Sequence, residues 1–246
     1  MMAAIKAEFR KLLSVRSTYG LVGIAALFTL LYAGYIQGFR LTGKDLLDPN
    51  LLNNDVTGAL GSLPIVLSAI VAILLMTHEY RYNTIMYSLT SSNSRSKVLF
   101  AKIVAVTVFA LVVTAFIGVL SPLVSLIGVH LHGNTLGPQV INYASLIPRA
   151  LFSGWSYIMA ALLLAALLRN QIAAIVSLFA IPIVEQILVL LLKKNAVYLP
   201  FTAQGEVLTP PHTGSITYMH AAIVFASYLI VGWIVTWILF LRRDAN

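Results

Sequence analysis

Apolar residues fall in six long blocks along this chain, at roughly 18–39, 59–77, 104–127, 148–168, 171–192 and 220–241. Each is near the length of about 20 residues that an α-helix needs to cross a bilayer. The pattern predicts an all-α integral membrane protein with six transmembrane helices in a single domain over 1–246. The narrowest separation lies between the fourth and fifth blocks, where only Arg169, Asn170 and Gln171 interrupt the apolar run. A break is expected there because an arginine and an asparagine at mid-bilayer are expensive. The first apolar run is too long for a signal-peptide core, and no small-residue cleavage site follows it.

Two polar-flanked stretches carry helical spacing outside the blocks. Before the first span, Ile5, Phe9, Leu12 and Leu13 recur on one side while Lys6, Arg10 and Lys11 occupy others. That pattern predicts an amphipathic helix in the interface, apolar side down and cations toward lipid headgroups. Ser17 and Thr18 mark the expected turn into the first span. Between the second and third spans, residues 78–102 carry Arg81, Arg95, Lys97 and Lys102 against one carboxylate, Glu79. There Arg81, Ile85 and Leu89 fall at i, i+4 and i+8, and Tyr82, Ile85, Met86 and Leu89 form an apolar edge. A short amphipathic helix is expected, ended by the Ser/Asn run at 91–94. Residues 40–58 and 129–147 read as polar loops. Residues 193–219 read as an outer segment able to dip into the membrane, with Tyr198 and Phe201 at headgroup level.

Composition supports the class: 59% of residues are hydrophobic and 10% charged, with mean hydropathy +0.91. These values lie outside the range of soluble globular domains. With six spans both termini share a side. That side holds eleven cations: Lys6, Arg10, Lys11, Arg16, Arg81, Arg95, Lys97, Lys102, Arg169, Arg242 and Arg243. The other holds five: Arg40, Lys44, Arg149, Lys193 and Lys194. The richer side is expected to be cytoplasmic, so the protein is placed in a cell membrane, multi-pass, with both termini inside. The net charge of +8 then reflects topology and attraction to anionic membrane lipids, not nucleic-acid binding. There is no cysteine, so disulfides and thiolate metal sites are excluded.

Candidate chemistry is sparse. Gly38, Gly43 and Lys44 match the opening of a phosphate-binding loop, but Asp45 stands where Ser or Thr would ligate magnesium, and no strand precedes it. His130 and His132 lack a nearby third ligand and read as a solvated loop pair; His220 reads as interfacial. Gly34 and Gly38 have the spacing of a helix-contact motif, which is common by chance. Glu185 is the one carboxylate within a span, and Pro182 precedes it. Two readings of it stay open: a polar point in a translocation route or helix contact, and a side chain reaching for the outer interface. No catalytic constellation emerges, so no enzyme is predicted.

The loop residues carry a resemblance. Glu79, Arg81 and Thr84, then Ser94, Arg95 and Lys97 leading into the next span, then Ala101 and Lys102, resemble the permease subunits of ABC type-2 exporters. The N-terminal segment from Lys6 to Lys11 is similar to that family's connecting helix. Tyr198 to Phe201 is similar to its outer re-entrant region, and Arg242, Arg243 and Asp244 to its closing segment. Asn83 departs from the glycine common there. The resemblance implies a subunit that moves a hydrophobic or amphipathic substrate (peptide, lipid or drug-like) out of a bacterial cytoplasm. It implies pairing with a second six-span permease subunit, identical or paralogous, and with an ABC ATPase subunit. The cytoplasmic helix between spans 2 and 3 would be its coupling helix, with Glu79, Arg81, Thr84, Ile85 and Leu89 in ATPase coupling. ATP and Mg would sit on the partner, so no cofactor is expected in this chain. The alternatives are a proton-coupled secondary transporter using Glu185 and a non-transporting membrane anchor for a cytoplasmic complex.

Overall fold

The structure, a computed structural model, describes residues 1–32, 43–82, 84, 86–87, 94–209 and 216–242. It is all-helical, with no strand among the described residues. Helix α1 spans Met2–Ser14 and α2 spans Arg16–Thr29. Between them Val15 is extended, at φ −82 and ψ 119, and the chain bends by 64°. The Tyr19 hydroxyl donates to the Leu13 carbonyl across the elbow at 2.7 Å. The expected turn at Ser17 and Thr18 is thus displaced to the β-branched Val15, and Thr18 is buried inside α2.

Helices α3 (Leu51–Leu60) and α4 (Leu63–Arg81) follow, separated by Gly61 and an extended Ser62. The 40–58 stretch is therefore not all loop. Leu51, Leu52, Val56, Ala59 and Leu60 are buried, a helical face that Asn53, Asn54 and Gly58 conceal in the sequence. Helix α5 runs over Arg95–Leu131, 37 residues and about 55 Å at the helical rise. It starts well before the apolar block and so carries Lys102 within it.

Helix α6 (Tyr143–Leu168) is capped by Asn142, whose side chain accepts from the Ser145 N–H. At its other end Arg169 is left-handed, at φ 52. Asn170 then starts α7 (Gln171–Leu192) by accepting from the Ala173 N–H at 3.0 Å. Those two residues make the expected break. A 3₁₀ turn over Lys193–Tyr198 leads to the short α8 (Pro200–Glu206), and α9 spans Tyr218–Arg242.

Five helical stretches are long and apolar enough to cross a membrane: Leu51–Arg81, Arg95–Leu131, Tyr143–Leu168, Gln171–Tyr198 and Tyr218–Arg242. A sixth arises only if the bent α1–α2 pair counts as one. The last third of the expected first span, 33–39, with Gly34 and Gly38, lies outside the described residues.

Helix α6 is the axis of the bundle, packing on α4, α5, α7 and α9. The contacts rely on small side chains: Ala69 and Ala72 on α4, Ala105 and Ala110 on α5, and Ala161 and Ala165 on α6 are all fully buried. Small side chains let the helices approach closely enough for extensive dispersion contact between them. Hydroxyls inside the helices bond back one turn, as Ser68 to the Pro64 carbonyl and Thr77 to the Ile73 carbonyl, both at 2.8 Å. This satisfies them without water.

The tightest approach is at Gly154 of α6. A Cβ there would meet Thr114 Cβ of α5 at 3.0 Å, and the Thr114 hydroxyl closer still. Gly154→Ala is therefore expected to cost roughly 1–3 kcal/mol, read as a lowered thermal midpoint of the purified protein. Thr114→Ala in the same chain should recover part of it. Gly20→Ala, where an added Cβ meets nothing within 4 Å, should be neutral or mildly stabilising.

Candidate functional site

Lys102 is fully buried, eight residues into α5. A lone ammonium there would lose its hydration with nothing in return, so its position demands compensating charge. Two carboxylates supply it. Glu8 of α1 holds the Lys102 Nζ at 2.8 Å through Oε2, and Glu79 of the last turn of α4 at 3.1 Å through Oε2. The Leu75 carbonyl accepts a third bond from the ammonium at 3.4 Å. Lys11, one turn after Glu8, binds the other oxygen of each carboxylate: Glu8 Oε1 at 2.7 Å, and Glu79 Oε1 by a short hydrogen bond. Two cations and two anions thus close a neutral ring across three helices. Burial works against the Lys11 charge, but the hydrogen bonds and charges of Glu79 and Glu8 outweigh it and hold the ammonium above its usual value.

This ring revises the expected picture of α1. Lys11 turns into the protein and not toward headgroups, while Lys6 and Arg10 stay exposed. Glu8 and Leu12 form the buried face, Ile5 and Phe9 are half-buried, and Leu13 is exposed. Lys102, grouped in sequence with the basic loop, belongs to the interior. Glu8 was not singled out in the sequence; its i,i+3 spacing to Lys11 and the place of Lys102 at the head of an apolar run were the available signals. That the three meet depends on tertiary packing.

The ring sits at the root of the loop between α4 and α5. The Thr84 N–H donates to the Glu79 carbonyl at 2.9 Å, and the Tyr87 N–H to the Thr84 carbonyl at 3.1 Å. Tyr82, Met86 and Tyr87 stay exposed. Ile85 and Leu89 lie outside the described residues. Between the loop, α1 and α4 is a cavity of about 520 Å³, with Leu12, Val71 and Leu75 among its apolar walls and Lys11, Glu79 and Tyr87 at its polar side. Arg81 is exposed, lying over the Tyr82 ring at 5.6 Å and reaching Gln171 Oε1 at 3.4 Å. Arg169 stacks on Tyr80 at 5.3 Å and Phe240 at 5.9 Å, so the same end of the bundle ties α4, α6, α7 and α9 together.

At the opposite end Glu185 serves a different purpose. Its carboxylate accepts from the Phe201 N–H at 3.1 Å, the Thr202 N–H at 2.8 Å and the Thr202 hydroxyl at 3.1 Å. These are unsatisfied donors of the first turn of α8, where negative charge also suits the helix dipole. Arg149 of α6 takes the far end, donating to the carbonyls of Val207 at 2.7 Å, Leu208 at 2.9 Å and Thr209 at 3.2 Å. Gln204 is held midway by Ser153 Oγ at 2.9 Å. Arg149 as the counterpart of Glu185 was not foreseen; nothing in their spacing announces it.

Two of the histidine candidates have local partners. His132 Nδ1 lies 2.6 Å from the Gly128 carbonyl, and His220 pairs with the Thr217 hydroxyl at 2.8 Å as α9 begins. No group of three possible metal ligands occurs among the described residues. Gly43 and Lys44 lead into a 3₁₀ turn over Asp45–Leu47.

One family model, described as "Protein of unknown function (DUF2705)", matches residues 22–245. No curated protein and no solved structure matches the chain.

Lys102→Met should destabilise the protein by about 3–5 kcal/mol, the scale for stranding buried partners, seen as a large drop in thermal midpoint. Adding Glu8→Gln, which restores neutrality, should recover a measurable part. At the other end, Glu185→Ala should speed hydrogen exchange at the Phe201 and Thr202 amides while leaving α4 protected. Unchanged exchange there would show that α8 does not depend on the carboxylate.

Proposed function

The chain belongs to the DUF2705 family, and we propose that it is the membrane-spanning permease subunit of an ATP-driven exporter. It works with a separate ABC ATPase subunit and a second permease half, and moves a hydrophobic or amphipathic substrate out of the cytoplasm. In this reading the basic end is cytoplasmic, α2 begins the first of six spans, and α1 lies along the inner interface.

The observation that carries the proposal is the ring of Glu8, Lys11, Glu79 and Lys102, in which Glu8, Glu79 and Lys102 are buried and Lys11 is half-buried. It grips both feet of the basic loop and the interface helix at once. A partner pressing on the exposed Tyr82, Met86 and Tyr87 would load α4 through Glu79 and α5 through Lys102. It would load α1 through both carboxylate–ammonium links. Such a joint is stiff, because parting it would strand buried charges. The resemblance of Glu79, Arg81 and Thr84 to the loop of ABC type-2 permeases points the same way. Glu79 then acts as an internal anchor, and Arg81, exposed beside it with no carboxylate partner among the described residues, is the group placed to meet an acidic patch on the ATPase. ATP and Mg²⁺ are the partner's; this chain contributes the lever and the route.

A proton-carrier role for Glu185 is disfavoured by its three hydrogen bonds to α8.

Arg81→Glu tests the coupling. In complexes reconstituted with the ATPase, substrate-stimulated hydrolysis should fall by roughly an order of magnitude, as for a hot-spot charge at an interface. Membrane insertion and basal hydrolysis should persist. Unchanged stimulation would sink the coupling role.

A further inference from the structure

All three tryptophans of the chain, Trp155, Trp233 and Trp237, line one groove between α5, α6 and α9. Its volume is about 710 Å³, and Phe100, Phe152 and Ile238 are among its other walls. On α9 the lining extends from Ala226 to Ile238, about 18 Å at the helical rise. That is a little over half of the roughly 30 Å hydrocarbon core of a bilayer. The groove therefore matches the depth of one leaflet.

Its basic end is charged. Lys97 lies one turn before Phe100, and Arg242 one turn after Ile238; both are exposed. Arg95 joins the two helix ends by donating from Nη1 to the Leu241 carbonyl at 3.3 Å. The sequences of α5, α6 and α9 contain no carboxylate. An aromatic, leaflet-deep channel thus ends at cations placed where long side chains reach the headgroup level.

We propose that this groove binds an anionic phospholipid from the leaflet at the basic end. One acyl chain lies along the tryptophans, and the phosphate sits between Lys97 and Arg242. The inference rests on the membrane placement proposed above and not on any ATPase partner.

Because every tryptophan lines the groove, intrinsic fluorescence reports its occupant. The full chain is reconstituted in phosphatidylcholine bilayers containing a small fraction of dibrominated phosphatidylglycerol or, separately, the same fraction of dibrominated phosphatidylcholine. The anionic quencher should act well beyond its mole fraction and the neutral one in proportion to it. Lys97→Gln and Arg242→Gln, both at exposed positions, should each lower the preference by roughly fivefold at low ionic strength, and added salt should do the same. Equal quenching by both lipids would overturn the proposal, leaving only ordinary boundary lipid. Quenching by neither would overturn it too, by putting protein over the groove or the chain outside the bilayer. Loss of ATPase stimulation in other experiments would leave this result unaffected.

Discussion

Lys102 has no exposed surface, and the arrangement of the basic end follows from that fact. An ammonium with no exposed surface needs counter-charge and hydrogen-bond acceptors together. Glu79 arrives on α4, which α6 already holds in the core. Glu8 can arrive only if α1 folds back across the end of the bundle, which the elbow at Val15 permits. Two carboxylates around one ammonium would leave an excess negative charge, and Lys11 cancels it. Each member therefore has a reason to be there that depends on the others, which makes the ring an all-or-none joint and not a set of separable salt bridges.

The two ends of the molecule solve different problems with charge. At the basic end, opposite charges cross-link three helices beside the exposed Tyr82, Met86 and Tyr87. At the opposite end, Glu185 and Arg149 satisfy the two termini of the short α8, which could not hold itself in place at seven residues. Between them, alanine-rich contacts and Gly154 keep α4, α5 and α6 close with few polar demands. The middle of the bundle is thus held by close apolar packing, and charged contacts are concentrated at its two ends.

The all-helical class, most of the long apolar helices and the Arg169–Asn170 break were legible in the sequence, because apolar block length and capping residues are local signals. The ten-residue α3 was not, since two asparagines and an aspartate interrupt a buried face that only its packing on α5 reveals. Helix α5 extends beyond the expected third span of 104–127 at both ends, and its start was missed because Lys102 looked like a loop cation. Its burial becomes intelligible only once Glu8 and Glu79 are seen beside it. The fate of Glu185 was undecidable for the same reason: its partners are backbone N–H groups at Phe201 and Thr202, which no residue type advertises. The loop edge at Ile85 and Leu89 lies outside the described residues, whereas the exposed Tyr82, Met86 and Tyr87 are in view.

The central claim is that the exposed loop above the ring receives an ATPase. The most direct measurement places a photo-crosslinking side chain at Tyr87 of the intact chain in native membranes, with a matched one at Tyr198 at the opposite end. The account predicts an adduct between Tyr87 and a nucleotide-hydrolysing subunit, none from Tyr198, and a weaker Tyr87 adduct when Glu79→Gln loosens the ring. Adducts at Tyr87 to lipid alone, or capture of the ATPase equally from both ends, would contradict it.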